Sequence, residues 1–251
     1  MIPKTIHLCW ISGDPYPPKI KKCIGSWKDG NGGGLLRGYS IMVWDYEKVM
    51  SLGYKWIKQA VEAKKYAFAS DCVRFYALYH YGGIYLDSDV EMLKPFDDLL
   101  HLPYFLGAEN DAHLFEAAVM GAEPRLGWIK ECLDYYKHRS FVNAFGEYRQ
   151  AVLPFVMEQR LRKKYELKPI QTIEKFDFSP KAVCYLPCEF FCPKSWATKE
   201  IILTDNTYCI HHFEGEWKQS NDRLDHVGLV TKMLRLLKST ASFVKHKIMR
   251  L

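Results

Sequence analysis

The chain has 251 residues, 48% of them hydrophobic and 15% aromatic, which excludes a disordered segment and fits one large α/β domain. Its net charge of +6 is concentrated in residues 228–251, which hold Lys232, Arg235, Lys238, Lys245, Lys247 and Arg250 and no acid; the remainder carries 29 basic and 29 acidic residues. That balance speaks against a nucleic-acid partner, and with no bilayer-length apolar run and no leader-like start the expected location is cytoplasmic.

Strand-like runs are predicted at residues 5–11, 39–44, 83–86, 104–108 and 207–211. Helices are predicted at 46–52, 56–81, 124–137 and 147–165, with another in the tail. Strands alternating with helices give an α/β class with a mostly parallel sheet. The glycines between residues 30 and 34 lack the endings and spacing of a phosphate loop and read as a connection. Cys184, Cys188 and Cys192 are separated by three intervening residues twice, unlike a zinc pair, so the cysteines read as reduced, partly buried thiols. The tail sets Leu229, Val230, Met233, Leu236 and Leu237 among its basic residues. This basic amphipathic helix either lies on the anionic inner face of a membrane or packs on a domain spanning 1–227.

Chemistry is densest at residues 81–92, YGGIYLDSDVEM. Asp87 and Asp89, at i and i+2, would face the same way from an extended backbone at the C-terminal end of a strand. Their hard oxygens suit a divalent ion such as Mg(II) or Mn(II). Met92 stands where a calcium loop needs glycine, and Glu91 where an aspartyl-nucleophile phosphatase needs threonine. Upstream, Asp71 and Arg74 share one helix face, and Gly82-Gly83 end that helix before the strand.

The run A-x-x-SD-x-x-R…GG-I-Y-L-D-x-D resembles the DXD-containing sugar transferases of glycosyltransferase family 32, and the glucosylating domains of large clostridial toxins are similar. The opening IPKTIHLCW and the segment SWKDGN…YSIMVWD resemble that family's first two strand regions. The resemblance covers roughly residues 1–125. It implies a GT-A type fold and a nucleotide-sugar donor, a UDP-sugar in preference to GDP-mannose. It also implies a glycan or lipid-linked acceptor in cell-surface polysaccharide synthesis. By position, Trp10 would stack on the base, Asp71 and Arg74 would bind donor sugar and phosphate, Asp87 would contact ribose or sugar and touch the metal, and Asp89 would hold the metal.

A second cluster, HHFEGEW at 211–217, resembles the end of related retaining sites. There His212 would be a third metal ligand and Trp217 would donate its indole N–H to the leaving phosphate; Glu216, where relatives have serine, leaves a further ligand open. Residues 142–150 lack the family's Thr-Gly-Pro turn, which points to a specialised acceptor side. Retention by front-face displacement is expected; inversion would require a base, with Glu109 or Asp111 nearest. The competing function is a non-catalytic nucleotide-sugar or metal-binding module.

Overall fold

The computed structural model describes residues 1–27, 34–110 and 115–214. Residues 1–214 form one compact unit, and the second unit, 215–251, lies outside the described residues. Trp217, Glu216, Asp111 and the basic tail fall among those undescribed positions. No helix among the described residues is long and apolar enough to cross a membrane.

In chain order the elements are β1 (Thr5–Cys9), α1 (Pro18–Trp27), β2 (Ser40–Trp44), α2 (Tyr46–Ser51), α3 (Lys55–Glu62), α4 (Tyr66–Tyr81), β3 (Gly83–Leu86) and β4 (Val90–Met92). They continue with β5 (Tyr104–Ala108), β6 (Phe115–Ala122), α5 (Gly127–Lys137), α6 (Leu153–Leu161), β7 (Glu166–Pro169), β8 (Ala182–Tyr185), α7 (Cys188–Phe191) and β9 (Cys209–His211). The main sheet has the order β2-β1-β3-β6-β5. β2, β1 and β3 are parallel, β6 is antiparallel to β3, and β5 is antiparallel to β6. Every strand of this sheet but β6 therefore points one way, and the expected mostly parallel α/β sheet is what forms.

Side-chain alternation along β1 and β3 explains why both faces are covered. Ile6, Leu8, Ile84 and Leu86 enter one core with Ile20, Ile24 and Phe96, whereas Tyr85 enters the other with Phe75, Ile129 and Met157. Removing one such fully buried aromatic would cost about 3–5 kcal/mol. Asp45 caps α2, its carboxylate accepting from Lys48 N–H at 2.9 Å.

The helix predicted over 56–81 is two helices. The chain turns at Lys64, which takes a left-handed φ of 56°, and Lys65 N–H reaches back to Ala60 O. The helix predicted over 147–165 is shorter, because residues 143–148 instead form a tight turn on the Asn143 side chain. None of the cysteines forms a disulfide, as the thiol reading expected.

The junction that sets where β3 ends at the sheet edge is Gly82-Gly83, with φ of 64° and 100°. A Cβ on Gly83 would lie 2.4 Å from Thr5 O and 3.2 Å from His7 Nε2, so α4 passes into β3 only through glycine here. His7 braces the same spot from β1. Trp44 Nε1–H donates to His7 Nδ1 at 3.2 Å, so the proton sits on Nε2, which donates to Gly82 O at 2.7 Å.

Candidate active site

The site lies beyond the C-terminal ends of β1 and β3, where ligands of α/β sheets bind. Because β6 runs the opposite way, its beginning reaches this edge too. Asp87 N–H donates to Ala118 O at 2.9 Å and Val90 N–H to Asp87 O at 3.1 Å. Asp87-Ser88-Asp89 is therefore a turn rather than the extended segment predicted, and the carboxylates converge across it. β4 then pairs antiparallel with β9, setting Val90 opposite His211. His212 N–H donates to Asp89 O at 3.1 Å, and Glu214 N–H to Asp89 Oδ2 at 2.9 Å.

Arg74 lies behind the turn and is 5% exposed. Its Nη2 is 3.1 Å from Asp71 Oδ1 and 3.4 Å from Asp87 Oδ1, and its guanidinium lies 4.6 Å above the Tyr85 ring. The Tyr85 hydroxyl donates to Asp87 Oδ1 at 3.0 Å. Asp71 and Arg74 are thus a buried pair that grips Asp87, and Arg74 spends its charge inside the protein. Burial pushes the Asp71 carboxyl up to about 7 against the pull of Arg74, with Asp87 adding to the rise. Asp87 is pushed up by burial and by Asp89, again opposed by Arg74.

Of the two histidines, the structure brings His211, not His212, to the carboxylates. His211 Nε2 is 3.6 Å from Asp89 Oδ1 and its Nδ1 3.3 Å from Glu116 Oε2. The expectation for His212 is corrected by strand alternation: its Nε2 turns to Glu91 Oε2 at 2.8 Å, and Glu91 also meets Lys22. One ligand atom from each of Asp87, Asp89 and His211 lies within 4.8 Å of the others. Burial disfavours a charged His211, but Glu116 and Asp89 outweigh it and lift the imidazole to about 10. Two carboxylates and one imidazole brought this close are a donor set that fits a divalent ion. Lys194 closes the rim, donating to His212 O at 2.6 Å.

Trp10 follows β1 at the same edge, half-buried, with its indole N–H on Asp14 O at 2.8 Å and its ring edge-on to Tyr16. Sequence reasoning overlooked His211 and Glu116. The first stood beside the residue chosen; the second had no motif around it.

Residues 13–106 match the family described as glycosyltransferase sugar-binding region containing DXD motif. The chain carries that DXD region. The matched span includes Asp71, Arg74, Asp87 and Asp89, whereas His211 and Glu116 lie downstream of it. The chain is 27% identical over 150 residues to inositol phosphoceramide mannosyltransferase 1 of Schizosaccharomyces pombe, covering 56% of this chain and 45% of that protein. It is 30% identical over 150 residues to a mannosyl phosphorylinositol ceramide synthase of Saccharomyces cerevisiae, covering 55% of this chain and 35% of that one. These matches thus span less than half the length of either relative. A solved structure titled PaToxG Glycosyltransferase superposes with a TM-score of 0.46 at 22% identity, over 64% of this chain and 68% of that one.

Proposed function

We propose that this DXD protein is a divalent-metal-dependent glycosyltransferase that moves a hexose from a nucleoside diphosphate sugar to a hydroxyl of a glycan or lipid-borne acceptor. The observation that carries the reading is the convergence of Asp87, Asp89 and His211 at the sheet edge, with Arg74 fixing Asp87 from behind. Mn(II) or Mg(II) held there would neutralise the charge that grows on the departing diphosphate. Asp89 is oriented for this by the Glu214 N–H, and Asp87 by Tyr85 and Arg74. Lys194, whose ammonium donates to His212 O, adds positive charge beside the same pocket, while Lys19 is paired with Glu214. Trp10 offers an aromatic face to the base. The acceptor oxygen bonds the anomeric carbon from the same face that the diphosphate leaves as the sugar–phosphate bond breaks, so configuration is retained, and the acceptor's proton passes to the leaving diphosphate.

The mannosyl names of the relatives make GDP-mannose the first donor to test, alongside UDP-sugars. A thermal-shift panel with Mn(II) reads donor binding directly. A donor at 100 times its Kd adds about 2.7 kcal/mol, or roughly 5–10 °C for a chain of this size. The shift and donor hydrolysis should both require Mn(II) and vanish in Asp89→Ala. Donor binding without turnover across acceptors would favour the binding-module reading instead, and inverted product seen by NMR would remove the front-face route.

A further inference from the structure

Glu116 has no part in the reading above, yet it is among the most deeply placed carboxylates in the described residues, 3% exposed at the start of β6. A buried carboxylate persists only with partners. Its Oε1 accepts from Ala118 N–H at 2.6 Å, and its Oε2 lies 3.3 Å from His211 Nδ1. The Cys192 thiol completes the group, with one ligand atom each of Glu116, Cys192 and His211 inside 4.8 Å. The other imidazole nitrogen, Nε2, faces Asp89 at 3.6 Å, longer than a hydrogen bond.

We propose that Glu116 is a positioning residue that holds the Nδ1 proton of His211 and thereby directs the Nε2 lone pair at the metal pocket beside Asp87 and Asp89. The logic is that of carboxylate–histidine–metal arrangements, in which the outer carboxylate sets the tautomer and ring angle and its loss costs 10–100-fold in metal affinity. A carboxylate can only accept at Nδ1, so it admits one neutral tautomer, the one with Nε2 unprotonated. A glutamine could present its amide N–H instead, which drives the proton to Nε2 and blocks ligation. The start of β6 suits this role, because Ala117 O, Ala118 O and Ala118 N–H are already committed to Arg74, Asp87 and Glu116, so the carboxylate cannot drift.

This inference rests on the metal-dependent reading, and the test separates the two. Mn(II) alone is titrated into the full chain and followed by EPR, with no donor and no turnover. Wild type should bind, Asp89→Asn should not, and Glu116→Gln should bind 10–100-fold more weakly with a melting temperature close to wild type. Glu116→Asp should recover part of the loss, and Glu116→Gln placed in a His211→Asn background should weaken binding no further. A folded Glu116→Gln that takes Mn(II) like wild type overturns the role of Glu116 alone. A wild-type chain that takes no Mn(II) removes both readings. Should Glu116→Gln not fold, the 15N shifts of His211 in wild type saturated with Mg(II) decide: a proton on Nδ1 supports the assignment, and a proton on Nε2 overturns it.

Discussion

His7 is buried, neutral and bonded at both nitrogens, and burial, helped by the charge of Lys48, keeps its pKa below the ordinary 6.5 despite the Gly82 carbonyl. A histidine depressed in the folded state leaves the unfolded state binding more protons as the pH falls. Its contribution is therefore complete above about pH 6.5 and declines below it. Urea midpoints measured from pH 7.5 to 5 should fall more steeply in wild type than in His7→Gln; equal slopes would sink the idea. At this scale the sequence was partly legible. Asp87 and Asp89 could be chosen because carboxylates so close need a positive partner. His211 could not be told from His212, since the choice depends on which way β9 alternates against β4. Glu116 carries no local signal, because its partners at Ala118 and His211 are set by tertiary pairing.

Among elements, β3 was readable to the residue because Ile84-Tyr85-Leu86 follows a glycine pair and ends in acid. β6, FEAAVMGA, was missed: alanine and glycine are poor strand formers, and the segment owes its conformation to pairing with β3 and β5. The break between α3 and α4 was hidden because Lys64 adopts positive φ with neither glycine nor proline to mark it. The Gly82-Gly83 junction yields the sharpest prediction at the scale of elements. Gly83→Ala should destabilise the protein by about 3 kcal/mol or more, since the new methyl meets the Thr5 carbonyl on a neighbouring strand that cannot move aside. Chemical denaturation would read it, and a loss under about 1 kcal/mol would show that β1 yields.

For the molecule as a whole, six basic residues in 228–251 give a neutral remainder an attachment of fixed sign. If that segment meets a membrane, the full chain should sediment with anionic vesicles at low salt and not with zwitterionic ones. Deleting 228–251 should abolish the effect, at about 1 kcal/mol per basic residue near the surface; unchanged sedimentation would leave the packed-helix alternative. The pairing of β4 with β9 has another consequence. Glu214 and Asp89 are 125 positions apart and meet through one hydrogen bond, and His211 arrives on the same late strand. A chain emerging from the ribosome would have its aspartate turn long before it had a pocket, because one wall is among the last described segments to be made. Metal capture would then report that synthesis has run past residue 214, and truncated products would be unable to compete for the ion.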